Sequence, residues 1–510
     1  MSGGPWVVPQ NVHDRLLLER VRPPDWRNPE PATRYDLVAV GAGTAGLVAA
    51  AGAAGLGARV ALIERGLMGG DCLNHGCVPS KALLACARVA ADARDAGRFG
   101  VRIGAGVSVD FPAVMERMRR LRAGLAVNDA AARFRDLGVD VFLGEAAFTG
   151  PDRLAVEGRT LAFHRAVITT GGRPAALPVQ GLADAGFLTS ETVFSLTALP
   201  SRLAIVGGGP IGCEMGQAFA RFGSRVTLIH QGARLLPRDD ADAGERVRAA
   251  LERDGVEVLL GFDLARVEDG RRGKRCVAQR GADLRSIEVD SILVAAGRTP
   301  GVTGLGLERA GVEFDPRKGV RVDDGLRTTS SRIYAAGDAV AGGQRFTHVA
   351  DAHARIVIRN ALFPGSRKAS ALMIPWCTYT DPEVARAGHS AETAWAEGVE
   401  VQTFTQPLKE VDRAVLEGEE EGFARIHVRA GGGEIVGATI VARHAGEMIS
   451  EVTLAMEVEA GLSALSRTIH PYPTQAEALR KIGDAYERTR LTPIVRWLIG
   501  KWLAWRRSIT

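Results

Sequence analysis

One repeat restricts the fold more than any other feature of this chain. Gly41-x-Gly43-x-x-Gly46 returns as Gly207-x-Gly209-x-x-Gly212, 166 residues later. In the first copy, the apolar run Leu37–Val40 enters the glycines, an Ala-rich stretch follows, and Val60–Ile63 ends on Glu64. That order predicts strand, turn, helix, strand: a βαβ unit of a doubly wound α/β sheet. The glycines serve a tight turn, close approach of a pyrophosphate, and close packing of helix on strand. The helix N-terminus offers free N–H groups and partial positive charge to phosphates. Glu64 then stands where a carboxylate accepts hydrogen bonds from an adenosine ribose. The second copy carries His230 at that position. A missing carboxylate, with Arg225 and Arg234 near in sequence, favours the 2′-phosphate of NADP, with NAD as the alternative.

Two dinucleotide units in one chain suggest one held cofactor exchanging electrons with a second, diffusible one. At 510 residues the chain has room for about three domains. Net charge is only +5, and six basic residues with no acid fall between Arg488 and Thr510. The body is therefore close to neutral, which gives no support to a nucleic-acid groove. Residues 37–58 lack charge but contain six glycines, so they read as the first βαβ unit rather than a membrane helix. No signal peptide is recognised at the N-terminus, and a cytoplasmic location is expected.

The stretch "GGDCLNHGCVPSK", residues 69–81, places Cys72 and Cys77 five apart in a chain with six cysteines. Metal binding would need further donors at ligand spacing, which the chain lacks, and no metal is expected. A structural disulfide closing so short a loop suits neither stability nor a reducing compartment. A redox-active pair is what remains. Pro79 marks the expected start of a helix, with Cys77 just ahead of it. A helix N-terminus favours a thiolate by about 0.3–1 kcal/mol, and by about 2 when partly buried.

Together, GAGTAG with Glu64, GGDCLNHGCVPSK, GGGPIGCE, AAGRTP, YAAGD and "HPYPTQAEA" resemble the class I pyridine nucleotide-disulfide oxidoreductases. That family includes mercuric reductase and dihydrolipoamide dehydrogenase. The resemblance covers about residues 35–485 and implies a homodimer using FAD and NAD(P). The implied layout is a Pro-rich extension at 1–34, FAD-binding parts at 35–184 and 299–366, and an NAD(P)-binding domain at 185–298. A dimerisation domain at 370–488 and a basic amphipathic tail at 489–510 complete it. The implied route takes hydride from NADPH to FAD, then to the Cys72–Cys77 disulfide, then to an unidentified acceptor. Cys77 would face the flavin, Cys72 would exchange with substrate, Lys81 and Glu214 would pair near the flavin, and Asp338 would bind its ribityl chain. Gly70, Gly172 and Gly297 join the glycines already named as candidate cofactor contacts.

Two departures bear on the acceptor. Disulfide-reducing members carry His before Pro-Thr in the C-terminal motif, with Glu five residues on. Here Tyr472 takes that place, Glu477 is kept, and His470 lies two residues early. A phenol with a pKa of about 10 is a poor base near neutrality. Tyr at this position is similar to mercuric reductase, yet no cysteine follows Cys377, so the C-terminal pair for a soft metal is missing. The tail "LTPIVRWLIGKWLAWRRSIT" sets Trp497, Trp502 and Trp505 among Arg and Lys at helical spacing. It suits either a membrane surface or packing on its own protein. The rival functions are a membrane-peripheral quinone or carrier reductase, and a flavin-bearing redox sensor or docking protein.

Overall fold

The computed structural model describes residues 11–104, 106–270 and 273–509. Pro5 and Pro9 of the N-terminal extension lie outside them. The chain forms two compact units, Met1–Ala233 with Asp254–Leu372, and Arg234–Arg253 with Met373–Thr510.

The first unit begins with α1 (Val12–Val21), capped by Asn11, whose side chain accepts from the His13 and Asp14 N–H groups. Its Leu17 and Val21 are fully buried in a core that includes Met68, Leu73 and Ala123. The extension is thus built into the unit. Next come β1 (Tyr35–Val40), α2 (Thr44–Gly55), β2 (Val60–Glu64), α3 (Gly70–Asn74), α4 (Cys77–Asp95) and α5 (Phe111–Leu125). Strands β3 (Val139–Leu143), β4 (Ala146–Gly150), β5 (Arg153–Val156) and β6 (Arg159–Ile168) complete the sheet order β3-β2-β1-β6-β5-β4. The central strands are parallel and almost wholly buried, as a sheet covered on both faces requires. The Ala-rich composition of α2 has a packing reason. A Cβ on Gly52 would lie 2.6 Å from Ile358 Cδ1, so only small residues let the helices meet.

A second parallel sheet follows the same plan. Its strands are β7 (Arg202–Val206), β8 (Arg225–His230), β9 (Glu257–Leu260) and β10 (Ser291–Val294), in the order β9-β8-β7-β10. Helix α6 (Pro210–Phe222) leaves its glycine turn with Pro210 in the first helical turn, where no N–H is needed. The similar stretches VITTGGRP and VAAGRTP, expected as chain crossings, pair with each other: Gly172–Pro174 and Arg298–Pro300 form an antiparallel ribbon. Strand β11 (Ile333–Ala335) returns to the first sheet beside β6, and α7 (Thr347–Leu362) covers α2.

The second unit is an antiparallel sheet with helices. Strands β12 (Trp376–Thr378), β13 (Glu383–Gly388), β14 (Val401–Pro407), β15 (Phe423–Arg429) and β16 (Ile435–Ala442) run in the order β12-β13-β16-β15-β14. Every residue of β16 is buried, as befits the central strand. The final helix, α8 (Pro493–Ile509), has no buried residue. The α/β class, two dinucleotide-binding folds and an α+β C-terminal portion, is as the sequence predicts.

Candidate functional site

The two glycine turns are tight for steric reasons. A Cβ on Gly41 would lie 2.5 Å from the Thr169 carbonyl oxygen, and one on Gly46 only 1.8 Å from the Gly41 oxygen. The second turn repeats this: a Cβ on Gly207 would lie 2.4 Å from the Ala295 carbonyl oxygen, and one on Gly212 1.9 Å from the Gly207 oxygen. In both, the middle glycine, Gly43 or Gly209, caps the helix without a side-chain hydrogen bond and keeps the helix N-terminus open. Glu64 ends β2, where its oxygens accept from the Ala42 and Gly66 N–H groups, each at 2.7 Å. Burial pushes its carboxyl up while those bonds pull it back. His230 ends β8 in the matching place.

Around this turn the chain fits FAD. A Cβ on Gly70 would lie 2.6 Å from Gly43 Cα, so the stretch carrying the cysteines is packed directly on the phosphate turn. Asp338, expected at a strand exit, follows β11 and is partly buried beside Arg298, whose Nε lies 3.5 Å from its Oδ2. Burial raises the Asp338 carboxyl against the pull of Arg298 and Arg345. Arg298 also donates to the Gly172 carbonyl at 2.7 Å and pairs with Asp71, tying both candidate-site segments together. Gly297 precedes it at the ribbon's start. The glycine cradle, the open helix end and the two carboxylates at strand ends suit FAD here.

Cys72 lies in α3, and Cys77 is the first residue of α4, two positions earlier than Pro79 suggests. The two thiols are neighbours that compete for a proton, and Thr347 Oγ1 at the start of α7 lies 3.3 Å from Cys77 Sγ. Lys81, one turn along α4, bonds both Glu214 oxygens at 3.1 and 2.9 Å; the Lys81 side chain is 37 % exposed and that of Glu214 5 %. The neighbouring Cys72 thiol, then Thr347 and the Lys81 charge, outweigh burial and lower the Cys77 pKa to about 6. Cys72 moves up, because its proton is the one they compete for and burial adds to the effect. The surroundings therefore favour the thiolate at Cys77 and the thiol at Cys72. His75 between them is buried and held neutral, its pKa lowered to about 4 by desolvation and then by Arg122.

Sequence reading missed Thr347, Arg122 and the linking role of Arg298. Arg298 sat in a quoted motif, but Thr347 and Arg122 belong to no pattern and meet the site only through the fold. The other cysteines are set apart by their surroundings. Cys213 and Cys276 are buried, and desolvation pushes Cys276 up to about 12. Among the described residues no cluster of His, Cys, Asp or Glu has metal-binding geometry.

Of the supports for NADP, Arg225 fails on position. It starts β8 while His230 ends it, and a strand advances about 3.3 Å per residue. Arg234 belongs to the second unit, where it donates to the Pro237 carbonyl at 3.2 Å and stands 3.7 Å from Glu392.

The C-terminal motif lies in the second unit. Tyr472 is 70 % exposed and donates its hydroxyl to Asp412 Oδ2 at 2.8 Å. That bond holds the phenol above its usual range. His470 Nε2 lies 3.0 Å from Glu451 Oε1 with its side chain 5 % exposed, so the ring is engaged. Glu477 opens the helix Glu477–Arg490 and pairs with Arg480 at 2.6 Å. Thr474 Oγ1, Gln475 Oε1 and Glu477 Oε2 are buried without hydrogen-bond partners among the described residues.

The sequence profile of pyridine nucleotide-disulphide oxidoreductases matches residues 35–354, and that of their dimerisation domain matches 374–482. The chain belongs to this family. Its members are flavoprotein oxidoreductases that bind FAD and a pyridine nucleotide. Mercuric reductase of Bacillus cereus is 35 % identical over 453 residues, covering 89 % of this chain and 72 % of that one. Dihydrolipoyl dehydrogenase of Chlamydia muridarum is 34 % identical over 87 % of this chain and 95 % of its own. Among solved structures, the HOCl-induced flavoprotein disulfide reductase RclA of Escherichia coli superposes with a TM-score of 0.78 at 28 % identity, covering 88 % of this chain and 99 % of its own. LpdA of Mycobacterium tuberculosis gives 0.80 at 27 %, covering 89 % and 100 %.

Proposed function

We propose that this protein is a homodimeric, NADPH-dependent FAD reductase that passes electrons through Cys72 and Cys77 to an acceptor that is neither lipoamide nor glutathione disulfide. The observation that carries this reading is the asymmetric thiol pair beside Thr347 and the Lys81–Glu214 ion pair. Gly41, Gly43, Gly46, Glu64, Gly70 and Asp338 would hold the flavin, which when bound relays electrons between a nicotinamide and a dithiol. Gly207, Gly209, Gly212 and His230 would receive the nucleotide. NADPH as donor rests on His230 standing where Glu64 stands in the first unit.

With a two-electron acceptor the thiol–thiolate pair is oxidised to a disulfide with release of one proton, and hydride from NADPH restores the pair. Cys77 is ready to attack once Cys72 is joined to a substrate sulfur, because it is already a thiolate. Neither Tyr472 nor His470 offers a free base for the substrate thiol. Tyr472 keeps its proton through Asp412, and His470 is occupied by Glu451. An acceptor that takes electrons without a proton, such as a thiol-bound soft metal, fits better.

Anaerobic NADPH titration followed by a panel of Hg(II)–thiol complexes, quinones, lipoamide and glutathione disulfide tests this. Rapid lipoamide turnover would sink it.

A second reading, with the protein working at a membrane surface, is favoured by α8. Ile494, Leu498, Trp502, Trp505 and Ile509 are all more than half exposed, and the charges among them are cationic only. No described helix is long and apolar enough to cross a membrane, but such a helix suits the interface of an anionic bilayer. Co-sedimentation with phosphatidylglycerol vesicles, lost in a Trp497→Ala, Trp502→Ala, Trp505→Ala variant, is expected. Equal recovery with and without vesicles would remove this reading.

A further inference from the structure

The matched family region starts at residue 35, yet α1 precedes it and reaches the cysteine loop through buried charges. Asp14 is 1 % exposed. Its Oδ1 accepts from Arg122 Nη2 at 2.8 Å, and its Oδ2 lies 3.4 Å from Arg119 Nε. Arg122, 2 % exposed on α5, donates its other terminal nitrogen to the Asn74 carbonyl at 2.9 Å. Asn74 ends α3, two residues after Cys72 and three before Cys77. Its own side-chain amide donates to the Met68 and Gly70 carbonyls at 3.0 and 2.8 Å. The Met68 N–H in turn donates to the Val21 carbonyl at the end of α1.

We propose that α1 is a positioning element for the redox pair: Asp14 aims the Arg122 fork at the Asn74 carbonyl and so sets the spacing of Cys72 and Cys77.

The chemistry selects an arginine. A planar guanidinium bonds two acceptors in fixed directions, whereas an ammonium is a single point on a flexible stem. A buried guanidinium also needs an anion, because an uncompensated buried charge is strongly destabilising. Asp14 supplies one that the matched region does not contain. The backbone it steadies determines whether the Cys72 proton reaches the Cys77 sulfur, the interaction that most favours the Cys77 thiolate. Small displacements matter here, since misplacing reacting groups by about 1 Å can cost about a hundredfold in rate.

This inference rests on Cys72 and Cys77 being the working pair. Its test reads thiol ionisation directly and does not assume turnover. In the reduced holoprotein, the pH dependence of iodoacetamide alkylation is followed at Cys77 by peptide mass spectrometry. Arg122→Lys keeps the charge and removes the fork. Asp14→Leu with Arg122→Met removes this ion pair and leaves net charge unchanged, with Arg119 still donating to the Leu196 carbonyl at 2.9 Å. Either variant is expected to move the Cys77 midpoint up by about one pH unit, toward the ordinary thiol value. NADPH-dependent turnover is expected to fall about tenfold, with thermal unfolding still cooperative. Whichever variant folds decides the matter, and an unchanged Cys77 midpoint in a folded variant overturns the proposal. Failure of the underlying reading looks different: Cys72→Ser would then retain full turnover whatever the Arg122 variants do.

Discussion

The cysteine site in the first unit and the C-terminal motif in the second carry opposite protonation. Around Cys77, a neighbouring thiol, a hydroxyl and an ammonium all favour loss of a proton. Around Tyr472, the nearest partner is a carboxylate that favours keeping one. The two sites thus differ in protonation bias: the first favours a thiolate and the second a protonated phenol.

The most forceful way to break that contrast is to remove a sulfur. Cys72→Ser or Cys77→Ser is expected to lower turnover with the true acceptor at least a hundredfold while NADPH still bleaches the flavin, since a nucleophile acting in a unit is not replaceable. Full turnover in steady-state assays of Cys72→Ser would instead mean that the acceptor bypasses the thiols. On the donor side, His230→Glu places an anion where a 2′-phosphate would sit. The ratio of kcat/KM for NADPH over NADH should drop at least about tenfold, because like charges brought together are costly.

Tyr472→His sharpens the comparison from the other direction. If absence of a base is what excludes disulfides, lipoamide reduction should rise about fivefold, a modest part of what general base catalysis provides. The smallest effect concerns pH and stability of the reduced protein. The Cys77 pKa of about 6 in the folded state lies below the ordinary thiol value of about 8.5. Its contribution is therefore full above about pH 8.5 and lost as pH falls through about 6. Cys72 is shifted up, so its contribution is lost as pH rises above about 8.5. Urea midpoints of the reduced protein should climb from pH 6 to 8.5 and then decline, with the climb absent in Cys77→Ser.

Much of this was legible from residue order. Local chemistry dictates a glycine turn, so Gly41–Gly46 and Gly207–Gly212 announce both parallel sheets, and the spacing of Cys72 and Cys77 announces the thiol pair. Lys81 and Glu214 were readable only through the family resemblance, because 133 residues separate them. Thr347 and Arg122 were not readable at all. Their roles depend on which helix ends the fold brings together, and neither sits in a periodic or motif context. Arg225 shows the reverse error: nearness in sequence along an extended strand is distance in space.

The buried carboxylate on α1 has a practical consequence for anyone dividing this chain. A polypeptide trimmed to begin at Tyr35, where the family profile match begins, would strand two guanidinium groups in an oily interior and lay bare Met68 and Leu73 to solvent. Such a fragment should aggregate or need a counter-anion to survive purification, so the family's alignment edge is not the place to cut.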